Sequence, residues 1–137
     1  MIFIATRRLF CLILLLLALY PCPARGEERN PAWAVPVYAK GLPNLHRVAA
    51  YLYRSAQPTA EGMRSAEDLG IRTVLNLRAF HSDDDLAEGT GLTLMRLEIN
   101  TWAMDEEEIL TGLRIILRAK PPVLVHCQHG ADRTGTL

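Results

Sequence analysis

The sequence predicts an α/β sandwich with a largely parallel central sheet. Two observations carry this expectation. Short β-rich runs alternate with segments of helical periodicity, and the last apolar run, Val123–Val125, passes directly into a glycine-containing loop that ends in Arg133 and Thr134. In open sheets of this kind an anion sits at the carboxyl ends of the strands. A length of 137 residues allows one domain, expected over residues 46–137 behind a signal peptide (1–26) and a lead-in arm (27–45).

The N-terminal stretch reads as an export signal. Thr6-Arg7-Arg8 precedes the apolar run Leu9–Tyr20, which falls short of the ~20 residues that span a bilayer. Ala24-Arg25-Gly26 then forms a small-x-small cleavage site before Glu27. The expected location is periplasmic or secreted, with an uncleaved membrane anchor as the alternative. Arg7-Arg8 fits a twin-arginine route and the strongly apolar core fits general secretion, so the route stays open. Cys22 follows Pro21 rather than the small residue of a lipoprotein signal, which leaves lipidation a minor alternative. Of the three cysteines, Cys11 and Cys22 leave with the signal. Cys127 is then the sole thiol of the mature chain, with no intrachain partner. A formal net charge of zero gives no reason to expect nucleic acid or a stable membrane surface as partner, and oligomeric state is open.

From Glu27 to Leu45 the chain is rich in Pro and Ala without sustained periodicity, which reads as the arm. Val48–Arg54 holds β-formers, and Ser55-Ala56-Gln57-Pro58 turns the chain into Thr59, an N-cap for a short helix ending near Gly70. Arg54 has two readings, a substrate-positioning group or a surface arginine at a strand end. Ile71–Leu77 is a strand. Ala79–Gly91 is a polar connection carrying Asp83-Asp84-Asp85, which lacks the glycine and distal glutamate of a calcium loop and reads as solvated. Leu92–Ile99 alternates as a half-buried strand. Asp105 and Glu108 have capping-box spacing before a helix with Ile109, Leu110, Leu113, Ile116 and Leu117 on its apolar face. Lys120-Pro121-Pro122 stops that helix.

The loop after Val125 holds the chemistry. His126-Cys127 and Arg133-Thr134 bracket five residues, Gln128-His129-Gly130-Ala131-Asp132. Amides of a tight loop opening into a helix lack intrahelical partners and converge on an oxyanion. Gly130 permits the turn, and Arg133 offers a planar fork matching two phosphate oxygens. The same field favours a thiolate on Cys127, and Thr134 places a hydroxyl where it stabilises that sulfur as a leaving group. A metal site built on His126, Cys127 and His129 lacks the second ligand pair that structural zinc needs; neither metal nor cofactor is expected.

This spacing resembles the signature of the cysteine-based phosphatases, the protein tyrosine and dual-specificity superfamily. Leu52–Pro58, Thr73–Arg78 and His126–Thr134 together are similar to bacterial exported dual-specificity-like phosphatases, which in turn are similar to an atypical plant and fungal class. The resemblance implies a protein tyrosine phosphatase-like fold, with the Ile71–Leu77 strand in the same sheet as Val123–Val125. It implies hydrolysis of phosphomonoesters, on a phosphorylated protein or a small phosphorylated molecule, through a phosphocysteine intermediate. It also implies a general acid upstream of the cysteine. Asp105, in Trp102-Ala103-Met104-Asp105, is the first choice and doubles as a helix cap. Asp132, directly before the loop arginine, is similar to the acid of the myotubularin phosphoinositide phosphatases and is the second. Relatives continue with further helices after the phosphate loop, so the domain is expected to be C-terminally incomplete at Leu137. A pseudophosphatase or phosphate-binding module is the alternative function.

Overall fold

The structure, a computed structural model, describes residues 30, 32–100, 102 and 104–137. The expected signal peptide lies outside the described residues. Among those described, no helix is long and apolar enough to cross a membrane.

The described elements are strands β1 (Val35–Pro36), β2 (His46–Ala49), β3 (Leu52–Ser55), β4 (Thr73–Arg78), β5 (Thr93–Ile99) and β6 (Val123–His126), with helices α1 (Ala60–Asp68), α2 (Glu106–Arg118) and α3 (Asp132–Thr136). They form one sheet in the order β1-β2-β3-β6-β4-β5. The block β3-β6-β4-β5 is parallel, whereas β1 and β2 add antiparallel strands at one side. This is the expected largely parallel sheet, with β6 between β3 and β4.

Burial follows from position in the sheet. β6 is buried at all four residues and β4 at all but Arg78, because a central parallel strand is covered on both faces and reads as a continuous apolar run. β5, at the edge, alternates. Successive side chains point to opposite faces, so Val74 and Leu124 join Met63, Ala66 and Ile71 on the α1 side. Leu75, Val123 and Val125 join Ile116 of α2 on the other.

The expected caps are present. The Thr59 hydroxyl accepts from the Gly62 amide, and Asp105 and Glu108 form a reciprocal capping box at the start of α2. Gly70 closes α1 with φ +84°, a backbone region open to glycine.

Two stretches differ from the sequence reading. The lead-in segment packs within the domain from Ala32 onward: β1 pairs with β2, and Leu42 and Leu45 are core residues. Its backbone docks on α1, where the Thr59 amide donates to the Gly41 carbonyl at 3.0 Å. An irregular, proline-rich segment buries side chains without periodicity, so its pattern hides them. The β-rich run from Val48 to Arg54 is a hairpin, turning at Ala50-Tyr51.

The apolar stripe of α2 is only partly covered. Ile116 is buried, whereas Leu110, Leu113 and Leu117 are exposed. Leu113, Ile116 and Leu117 line a groove of about 630 Å³ together with Leu52, Val125 and Leu137.

Candidate active site

Cys127 leaves the end of β6 and is buried, with 2% exposure. Its sulfur accepts a hydrogen bond from the Gly130 amide at 3.2 Å and lies 3.7 Å from the Thr134 hydroxyl. Burial by itself pushes the thiol pKa up. Hydrogen bonds from the Thr134 amide and hydroxyl and from the Gly130 and His129 amides outweigh it, and the pKa is lowered. Donors directed at the sulfur favour the charged form.

The amides point inward because the loop carbonyls are held from outside. The Gln57 amide donates to the Gln128 carbonyl at 3.2 Å. Asn44 Nδ2 donates to the His129 carbonyl at 2.9 Å and to the Gly130 carbonyl at 3.3 Å. Arg54 Nη1 donates to the Gly130 carbonyl at 2.6 Å. Each peptide whose oxygen is turned outward presents its N–H on the opposite side. Gly130 makes the turn with φ +70°, where a side chain is strained.

Arg133 is tethered at the strand ends. Its Nη1 donates to the carbonyls of Leu77 and Ile99, both at 3.3 Å. Its Nε is buried and, among the described residues, has no acceptor. A buried donor without a partner is costly.

Of the other expected residues, Gln128, His129, Ala131 and Asp132 are exposed on the loop and the first turn of α3, and Thr134 is buried. Asp105 is exposed, and its Oδ1 accepts from the Glu108 amide at 2.8 Å. The side-chain hydrogen bond of Asp105 therefore lies within its capping box. Among the described residues no three His, Cys, Asp or Glu side chains are grouped to hold a metal ion.

His126 is fully buried. Its Nε2 lies 2.7 Å from Asp83 Oδ2, and its Nδ1 lies 3.4 Å from the Cys127 carbonyl. Asp83 corrects the reading of the triple-aspartate run as solvated. Asp84 and Asp85 are exposed, but Asp83 is 5% exposed. The sequence reading also missed Asn44, which has φ +54°, a conformation asparagine tolerates. Arg54 holds the loop rather than standing free at the surface.

A cysteine whose sulfur is ringed by loop amides, with an arginine tethered at the strand ends, defines the class: an α/β protein with a cysteine at the base of a loop that closes the parallel strands. Comparison with known proteins narrows it. Residues 48–137 match the family described as "Polymorphic toxin system, DSP-PTPase phosphatase". The dual specificity protein phosphatase TpbA of Pseudomonas aeruginosa is 39% identical over 114 residues, covering 80% of this chain and 50% of TpbA. The TpbA crystal structure superposes with a TM-score of 0.71 at 34% identity, over 78% of this chain and 66% of that one. A cysteine-to-serine variant of TpbA in complex with phosphotyrosine gives a TM-score of 0.70 at 33% identity, over 78% and 65%. The catalytic core of the Saccharomyces cerevisiae PP-IP phosphatase Siw14 shares the fold, with a TM-score of 0.61 at 24% identity over 72% and 64%. This chain belongs to the DSP-PTPase phosphatases, within the cysteine-based tyrosine and dual-specificity superfamily. It spans about half the length of TpbA.

Proposed function

We propose that this chain is an exported cysteine-dependent phosphatase that hydrolyses phosphomonoesters through a phosphocysteine intermediate. The observation that carries the reading is the convergence of loop amides and the Thr134 hydroxyl on the Cys127 sulfur, beside an arginine with an unpartnered buried donor. A phosphoryl group in the loop satisfies Arg133 and the amides together and faces the thiolate.

In this mechanism the thiolate attacks phosphorus, the S–P bond forms and the P–O bond to the leaving group breaks. A protonated carboxyl group gives its proton to the departing oxygen. Water then attacks the phosphocysteine and passes a proton back to the carboxylate; inorganic phosphate forms and the thiolate leaves, stabilised by Thr134. Asp105 is the first candidate for the acid, which requires it to leave its capping box, and Asp132 is the second. The phosphotyrosine complex of the TpbA variant makes a phosphotyrosine-type ester the substrate to try first.

The test is to quench the chain with acid during turnover of an aryl phosphate and map the phosphorylated residue by mass spectrometry. Phosphate on Cys127, absent in Cys127→Ser, supports the reading. Vanadate binding without turnover favours a phosphate-binding module, the alternative that the capping-box bonds of Asp105 specifically favour. Export rests on Arg7-Arg8, the apolar run and Ala24-Arg25-Gly26. A mature N-terminus at or near Glu27 in the periplasmic or secreted fraction supports it, and recovery only of an intact Met1 chain in the cytosol refutes it.

A further inference from the structure

The loop after β4 delivers one carboxylate into the protein beneath the nucleophile. Asn76, paired in register with His126 across β4 and β6, donates its Nδ2 to the His81 carbonyl at 2.9 Å. That bond ties the loop to the sheet just before Asp83. The Asp83 carbonyl accepts from the Ala87 amide at 2.9 Å, closing a turn around it. Asp83 Oδ2 reaches His126 Nε2 at 2.7 Å, with the two side chains 3% and 0% exposed. Asp83 Oδ1 accepts from Gln57 Nε2 at 2.9 Å, and Gln57 Oε1 accepts from Arg78 Nη1 at 2.9 Å. The Gln57 backbone in turn holds the Gln128 carbonyl. A continuous chain of hydrogen bonds thus runs from Arg78 through Gln57 and Asp83 to His126, the residue before the cysteine.

A buried carboxylate needs donors on both oxygens, and a buried pair persists only where each member is satisfied. Burial pushes the Asp83 pKa up, but the hydrogen bond and charge of His126, the Gln57 bond and the charge of His81 outweigh it and hold the carboxyl below its ordinary range. An ionised Asp83 offers only acceptors, so His126 Nε2 must carry a proton. The carboxylate thereby fixes the tautomer and ring plane of the histidine, as an orienting carboxylate does for a functional imidazole.

We propose that Asp83 is a positioning residue: acting through His126, it holds the strand end and Cys127 in attacking geometry. The inference rests on the phosphatase reading above for its kinetic arm only. Asp83→Asn keeps the shape but offers one acceptor oxygen where the carboxylate offers two. With the oxygen turned to Gln57 the NH2 faces Nε2, and with the oxygen turned to Nε2 the NH2 faces Gln57, so the tautomer is released without removing the contact.

The experiment has three measurements on the full chain. Two-bond 1H–15N correlation reads the proton on His126, with a His126→Gln spectrum giving the assignment; a proton on Nε2 in the wild type is expected, and a neutral ring protonated on Nδ1 overturns the proposal. This measurement needs neither turnover nor a folded Asp83 variant. Next, Asp83→Asn should lower kcat for an aryl phosphate by about tenfold or more while vanadate affinity stays within about threefold. Wild-type kcat in that variant, or loss of vanadate binding in proportion to rate, overturns the proposal. Last, in a His126→Gln background the Asp83→Asn change should have less than about a twofold further effect, because residues acting as a unit are not additive. An undiminished tenfold loss there shows that Asp83 acts by another route. A wild type that binds vanadate without turnover refutes the phosphatase reading, leaving the proton position on His126 to decide whether Asp83 orients the ring.

Discussion

Gly130 rests directly on the backbone of Ser55. A Cβ at Gly130 would lie 2.5 Å from both the carbonyl carbon and the oxygen of Ser55, and 2.6 Å from the Ala56 nitrogen. The Cys127–Arg133 loop is thus wedged against the end of β3, with positive φ and close approach required at one position. Gly130→Ala should cost at least about 2 kcal/mol, through a left-handed backbone and a clash with backbone atoms. Urea denaturation and vanadate titration check this. Unchanged stability and affinity would refute the requirement.

The Cys127 thiol should be alkylated by iodoacetamide with a midpoint below the ordinary free-thiol value of about 8.5. Because the folded pKa is depressed, the thiolate's contribution to stability is complete above the unfolded value and is lost as pH falls through the folded one. Thr134→Val removes the hydroxyl donor but keeps the amide, so the alkylation midpoint should move up in pH. No movement would remove Thr134 from the set of groups that stabilise the sulfur.

The two roles of Asp105 separate cleanly by substitution. Asparagine is as good an N-cap as aspartate, so Asp105→Asn should leave stability nearly unchanged. If Asp105 is the acid, it should slow an alkyl or poor-leaving-group phosphate far more than an activated aryl phosphate. Asp105→Ala should cost about 1 kcal/mol in addition. A leaving-group effect in Asp132→Asn instead transfers the acid role.

Arg54→Ala removes the 2.6 Å bond to the Gly130 carbonyl. A lost hydrogen bond from a charged donor is worth about 1.5–3 kcal/mol, so vanadate affinity should fall roughly ten- to a hundredfold if the loop needs this tether. Isothermal titration calorimetry reads it, and affinity within twofold of wild type would show that Asn44 and Gln57 suffice.

Phe80 is 97% exposed with φ +57°. A bulky residue in that region costs about 1–2 kcal/mol, and its ring gains nothing from burial. Phe80→Asn should raise stability by about 0.5–1 kcal/mol in urea denaturation; a clear loss would mean that the ring has a partner in solution.

What the sequence revealed and what it concealed divide by distance along the chain. Cys127, Gly130, Arg133 and Thr134 fall within one stretch of eight residues, and the caps Thr59 and Asp105 are read over three residues, so local chemistry made them legible. The supports of the site are not local. Asp83 meets His126 across 43 positions and Arg54 meets Gly130 across 76. A run of three aspartates reads as solvated because two of them are, and nothing in its composition marks the one that turns inward. Leu42 and Leu45 were hidden for a different reason, since an irregular segment has no period to betray its buried face.

The place of β6 in the sheet has a consequence for how the protein is made. β6 is the last described strand in the sequence, yet it inserts between β3 and β4 and hydrogen-bonds to both. Until Val123–His126 arrives, the β1-β2-β3 hairpins and the β4-β5 pair have no common strand to join them. Closing such distant segments is entropically slow and makes the topology a late-folding one. The strand that leads into the cysteine is therefore also the keystone of assembly, and the thiolate environment forms only as the sheet becomes whole. A chain still emerging from a ribosome holds every residue of the site in sequence and none of its chemistry.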